Sequence, residues 1–498
     1  MDNRRQFLAR GIGLAALGLA SGTALADSAT LRSFHQALAR NPMLSLYAGA
    51  EGDQSGDAVL HGSLPDDLRG VFYRNGPGRF ELGGERYHHW FDGDGFAQRW
   101  QIGGGKVSHR GRFVATQKFA EECAAGQFLY PAFGTHIGRK AARNNDTVNA
   151  ANTNLLPLNG RVYALWEGGS AVEVDPATLE TRGIKTWRDD MKAMPFSAHP
   201  KMDPDGGLWN FGNLPGSDRL VIYRLNAAGE LTRTAMINVP QLNMVHDFVV
   251  SGRHLIFLVP PYDMRPGDDL SLRESLQWNG ERPLRAVVVA KDTLQLRQVF
   301  ELPGRSVFHL GNAFEDGACT RLDCVMHEGD MLPRLALPMH GEAIPYSAGS
   351  SSTVQITLDY AAGQAREARL FGVGEFPRVA PQVVSARHRK LAVLGASAGA
   401  EHILNTVNLI DTDSGKADSY RFDAGWQVEE HVLVPRRGAG TGARSETDGY
   451  LVGVAQDARR GQTVLTVFDA HNIKAGPRAL ARLPYRAPLC FHGNFLPA

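Results

Sequence analysis

The chain has 498 residues, 43% of them hydrophobic and 21% charged, which are the proportions of a folded globular protein and not of a disordered one. Lys and Arg number 53 against 52 Asp and Glu, so no net field draws the chain to nucleic acid or an anionic membrane. Four cysteines, Cys123, Cys319, Cys324 and Cys490, are too few for a disulfide scaffold and lack paired zinc-ligand spacing. In an oxidising compartment Cys319 and Cys324 are the pair to consider, with buried free thiols the equal alternative.

The first 26 residues read as an export leader: a basic start, a moderately apolar run from Gly11 to about Leu25, and Ala24-Leu25-Ala26 as a cleavage site. Arg4-Arg5 followed by Gln6-Phe7-Leu8 resembles the twin-arginine signal, which carries folded proteins to the periplasm. Cleavage after Ala26 moves the net charge from +1 to −1 and leaves 27–498 as the mature domain. The segment from Phe34 to Tyr47 is a candidate for a short helix.

The stretch "RYHHWFDGDGF", Arg86 to Phe96, gathers His88, His89, Asp92 and Asp94 and invites a metal reading. Strand alternation would send His88 and His89 to opposite faces, the Asp-Gly pairs are turn chemistry, and the other ligands of a calcium loop are missing. A structural role is expected.

From there on the chain is mainly β, in short runs rich in Val, Ile, Leu, Phe and Tyr broken by Gly, Asp, Asn and Pro. Seven hairpin turns are marked by Gly103, Asp175, Asn226, Lys291, Asp359, Asp411 and Asp469, at irregular intervals of 51 to 72 residues. Units of this length, a few strands each, predict the blades of a seven-bladed β-propeller with insertions in its loops. The segment Arg436 to Gly449 has the composition of an exposed loop.

Four histidines fall at one phase of this repeat: His199, His246, His309 and His492, each 18 to 24 residues after its turn. Glu375 and Glu430 take the same phase after the turns at Asp359 and Asp411. Equivalent positions on the inner strands of a propeller converge on its axis. Converging imidazoles suit Zn, Cu, Fe or Ni, and carboxylates behind them would orient the rings and supply compensating charge.

The motifs "FYRNGPG", "YHHWFDGDG", "LWEGGSAVEVDP", "FSAHPKMDP", "MVHDFVV", "FHLGNAFED", "GEFPRV" and "APLCFHGNF", in this order from about Asn41 to His492, resemble the carotenoid cleavage oxygenases. The resemblance implies a seven-bladed propeller holding Fe(II) on His199, His246, His309 and His492, under a dome of loops and helices that forms an apolar tunnel. It implies outer-sphere roles for Glu167, Glu375 and Glu430. The last sits in "EEHVLVP", where His431 replaces a common proline and Glu429 is a rival. It implies scission of a C=C bond of an apolar, conjugated alkene by O2, with no acid, base or nucleophile required beyond the metal. A non-oxidative isomerase on the same centre and a binding-only propeller are the other readings.

Stilbene and isoeugenol members of the family resemble one another in a tyrosine and a lysine that engage a phenol. Here Phe113 is aligned with the tyrosine and Asn144 with the lysine, Lys140 being close by, so a carotenoid or apocarotenoid substrate is expected, with phenolic alkenes as the alternative. Phe113, Phe128, Tyr130 and Phe133 are candidates for the tunnel. The stretch "GQFLYPAFG" is read either as an apolar, membrane-facing mouth or as ordinary packing.

Overall fold

The computed structural model describes residues 27–346, 349–400, 403–436 and 446–498. The leader-like residues 1–26 and most of the Gly-rich loop after Arg436 lie outside the described residues. A helix over Ala29–Leu38, capped by the Ser28 hydroxyl, and a 3-10 turn over Pro42–Tyr47 occupy the segment expected to hold a short helix.

Seven four- or five-stranded antiparallel sheets follow one another around an axis as the blades of a propeller. Each of the seven marked turns joins the third strand of a blade, counted from the axis, to the fourth. The burial patterns explain why those hairpins were legible. Third strands such as Leu284–Ala290 are buried on both faces and read as apolar runs, whereas outer strands such as Leu231–Asn238 and Ala417–Arg421 alternate with solvent.

The ring is closed twice. The C-terminal strand His492–Pro497 pairs antiparallel with Gly70–Arg79 and becomes the inner strand of blade 1, with His492 opposite Asn75. The early strand Val59–Gly62 forms the outer edge of blade 7 by pairing with Ala479–Arg482. Closure therefore carries the last residues of the chain to the axis.

The core is divided among the seams between blades. Val249, Ile256 and Val288 of blade 4 pack on Val307, Leu322 and Ile356 of blade 5, and Phe72 and Trp100 of blade 1 pack on Val452 and Leu465 of blade 7. A comparable cluster fills each other seam. Burying one such side chain contributes roughly 1.5–3 kcal/mol, so each blade is held mainly by its two neighbours.

Cys319 and Cys324 lie five residues apart on one extended strand, Cys319–His327, which at roughly 3.3 Å per residue keeps their thiols too far apart to bond. All four cysteines are free. Among the described residues no helix is long and apolar enough to cross a membrane.

Candidate metal centre

The four histidines at one phase of the repeat meet on the axis. Each offers a ring nitrogen, and these atoms lie within 4.8 Å of one another. His199 leads into the inner strand Lys201–Met202 of blade 3, His246 into Phe248–Val250 of blade 4, His309 lies in Ser306–Asp316 of blade 5, and His492 opens the closing strand. Inner strands supply the carboxylates too: Glu375 opens Glu375–Arg378 of blade 6 and Glu430 lies in Trp426–Pro435 of blade 7.

The strand register breaks where these side chains occur. Pairing shifts between Val307 and Leu310, between Glu375 and Arg378, and between Val428 and His431. A bulge re-aims side chains that regular alternation would bury in the seams, which is how His309, Glu375 and Glu430 come to face the axis.

Three imidazoles are held from behind. The Nδ1–H groups of His246, His309 and His492 donate to Glu167 (2.7 Å), Glu375 (2.5 Å) and Glu430 (3.0 Å). A proton on Nδ1 leaves each Nε2 lone pair facing inward. Among the described residues His199 has no such partner: its Nδ1 is 3.8 Å from Asp247, whose carboxylate serves Lys201 and the backbone of Phe248 and Leu310. Glu429 is separate from the site, taken up by Arg74, Gln456 and the Cys490 amide, so Glu430 is the partner of His492. His431 also turns away, its ring bonded to the Glu429 carbonyl and to Thr466.

Burial lowers His199 well below the ordinary imidazole value, with the neighbouring rings adding to it, and takes His492 to about 4 against the pull of Glu430. For His246 burial is outweighed by Glu167, and the ring is raised. Burial would raise Glu375, but His309 and His327 hold it well below the usual carboxylate range; Arg378 and His492 overcome burial to keep Glu430 at about 2.

The residues fit a cation. The Nε2 atoms of His199 and His246 stand 2.9 Å apart, a distance two lone pairs tolerate only with a proton or a common ion to share. His309 Nε2 is buried with no hydrogen-bond partner. Neutral imidazole donors suit Fe, Zn, Cu or Ni, and the three carboxylates behind them balance a divalent charge.

A cavity of about 1870 Å³ reaches this cluster, with His246, His309 and His492 in its wall. Near the cluster its wall is aromatic: Trp90, Phe91, Phe308, Phe376 and Phe491. Phe376 stacks on His309 at 4.8 Å and holds a left-handed φ of 55°, an uncommon conformation for a bulky side chain. Phe308 and Phe491 immediately precede two of the cluster histidines, a repeated Phe-His pair in the sequence that marks them.

Of the expected tunnel residues only Phe133 lines the cavity. Phe113 is packed between Phe96 and Phe119, Phe128 stacks on Tyr87, and the Tyr130 hydroxyl is bound by Glu121. Since Phe113 does not reach the cavity, its identity carries no information about the substrate. Asn144 and Lys140 do line it, but Asn144 caps a 3-10 turn and Lys140 is paired with Glu121.

His88, His89, Asp92 and Asp94 hold no metal-binding geometry. His88 is exposed and His89 buried, as alternation anticipated, but the segment enters a 3-10 turn, Trp90–Asp92, and is not a strand. The His89 ring accepts from the Phe91 amide and meets the Leu332 carbonyl, while Asp92 accepts from Gly134 and Thr135. Asp94 pairs with Lys118 and Arg79. Gly95 is required because a Cβ there would lie 2.1 Å from the Ala151 carbonyl oxygen. His327, which sequence reasoning missed, donates to the second oxygen of Glu375 at 2.6 Å.

Fold and site together define a propeller protein with an axial cluster of four imidazoles able to hold a metal ion. Over residues 48–497 the chain matches the family described as retinal pigment epithelial membrane protein, and it belongs to that family. It is 29% identical to the apocarotenoid-15,15'-oxygenase of Synechocystis over 88% of this chain and 92% of that one. It is 28% identical to lignostilbene-alpha,beta-dioxygenase isozyme III of Sphingomonas paucimobilis, over 89% and 94%. Isoeugenol monooxygenase of Pseudomonas nitroreducens is 25% identical over the same shares. The solved structure of cobalt-substituted Synechocystis apocarotenoid oxygenase superposes with a TM-score of 0.82 at 25% identity, covering 92% of this chain and 98% of that one.

Proposed function

We propose that the protein is an Fe(II)-dependent oxygenase that cleaves a C=C bond of a carotenoid or apocarotenoid with O2 to give two carbonyl products. The observation that carries this reading is a cavity of about 1870 Å³ whose walls are aromatic where it meets a four-imidazole cluster. Pockets for drug-sized ligands run to about 1,000 Å³, so the space suits an extended polyene better than a single aromatic ring with a short side chain.

His199, His246, His309 and His492 would hold the iron, and Fe(II) bound there supplies the activation of O2 next to an alkene. Glu167, Glu375 and Glu430 fix three of the rings and keep their protons on Nδ1. Phe91, Phe308, Phe376 and Phe491 exclude water from the reacting region and offer flat faces to a conjugated chain. The protein has no need to move a proton at the scissile bond. A twin-arginine-type leader supports export of the folded chain to the periplasm.

The relatives named for lignostilbene and isoeugenol support a second reading, a phenolic alkene as substrate. The test is O2 uptake coupled one-to-one to substrate loss, with carbonyl products identified by mass. An isomerised alkene without O2 uptake would overturn the oxygenase reading.

A further inference from the structure

Buried tyrosine hydroxyls in this protein are almost all spoken for. Tyr73 donates to the Pro176 carbonyl, Tyr223 to the Pro195 carbonyl, and Tyr262 to the Asp330 carboxylate, at 2.7 to 2.8 Å. This is the rule for phenols in protein interiors, since an unpaired buried donor forfeits about 1–3 kcal/mol of hydration.

Tyr47 and Tyr346 are placed differently, half-buried at the cavity wall. Both line the cavity, and both pack against the apolar cluster that contains Phe308 and the edge of Phe91. Neither hydroxyl bonds to any described residue, and the half-burial of both side chains leaves their hydroxyls open to the cavity. The Tyr47 ring stands edge-on to Trp90 at 5.3 Å, and Trp90 edge-on to Phe491 at 4.8 Å, next to His492. Tyr346 and Tyr47 pack on one apolar cluster, and both line the cavity alongside Glu375. Two chain segments 299 residues apart thus bring two hydroxyls without a bonding partner among the described residues to one apolar cluster on the cavity wall.

We propose that Tyr47 and Tyr346 form a polar subsite that receives an oxygen atom of the substrate, a carbonyl or hydroxyl, and so fixes how far along its length the alkene meets the metal centre. A phenol serves either function, donating to a carbonyl or accepting from a hydroxyl. At the aromatic end of the cavity, beside Trp90, Phe308 and Phe491, such a pair rewards a substrate carrying oxygen over the hydrocarbon of the same shape. The inference deepens the oxygenase reading and takes its substrate class from it.

The test is binding of an apocarotenal, the corresponding alcohol and the hydrocarbon of equal conjugated length to the full protein without O2, followed by quenching of tryptophan fluorescence. We expect both oxygenated probes to bind about tenfold more tightly than the hydrocarbon, a difference of about 1.4 kcal/mol. The paired variant Tyr47→Phe with Tyr346→Phe should bind all three alike, with the hydrocarbon affinity unchanged. Equal affinity of the wild-type protein for the three probes, or an equal loss for all three in the variant, would overturn the subsite. Cleavage under air is scored separately, and a protein that discriminates the probes but cleaves none retains the subsite and loses the oxygenase reading.

Discussion

Glu375 and His309 meet at 2.5 Å, and the same carboxylate accepts from His327 at 2.6 Å, so one buried anion is clamped between a ring of the axial cluster and a ring outside it. The clamp fixes the Glu375 rotamer, and through it the direction in which His309 Nε2 points. Replacing Glu375 with Gln should lower metal affinity by about 10–100-fold, and His327→Phe should lower it less, because the Glu375–His309 bond survives. Titration of the metal-free proteins with Fe(II) reads both, and equal losses would contradict this order.

His246→Ala removes a ring whose Nε2 lies 2.9 Å from that of His199. The variant should purify with substoichiometric metal and lose O2-dependent cleavage while keeping its circular dichroism. Elemental analysis of protein purified alongside the wild type checks it.

Much of this architecture was legible because a propeller repeats. All seven turn marks fell on the hairpin between third and fourth strands, where a buried strand meets a half-exposed one and the contrast in patterning is greatest. Counting from those turns found four histidines and two glutamates, since strand length fixes the distance from outer turn to axis. Glu167 was outside that count: it lies in the loop after Arg161–Leu165, ahead of its blade's turn, and only the motif around it marked it. The tunnel was the least legible part. Phe113, Phe128 and Tyr130 sit near the signature motifs, but whether an aromatic faces a cavity or a neighbouring ring depends on contacts distant in sequence, such as those placing Tyr346 and Tyr47 on one cluster.

Lys118 is buried between Asp94 and Glu122, with the Tyr87 hydroxyl also within reach. Lys118→Met leaves two carboxylates with only Arg79 to offset them, and removing one partner of a buried ionic cluster costs about 3–5 kcal/mol. Urea denaturation should show a loss of that size, and a loss below about 1 kcal/mol would contradict it.

Burial depresses His89 and His109 to about 3 and His431 to about 4. Below about pH 6.5 the unfolded chain protonates these rings and the folded chain does not, so stability falls as pH drops from there toward 3. Asp92, raised to about 6 by burial, opposes them between pH 6 and its unfolded value of 3.8, as do His246 and Glu429, while the lowered His199 and His492 add to the fall in the metal-free protein. The thermal midpoint of the metal-free protein should be lower at pH 5 than at pH 7.5, and His109→Gln should narrow the difference.

The decisive property is what the reconstituted protein does to an alkene in air. Loaded with Fe(II) and offered an apocarotenal, a hydroxystilbene and isoeugenol in parallel, it should convert the apocarotenal into two carbonyl fragments identified by mass, with activity abolished in His246→Ala. Aldehydes formed only from the phenolic substrates, or full activity in the variant, would contradict it.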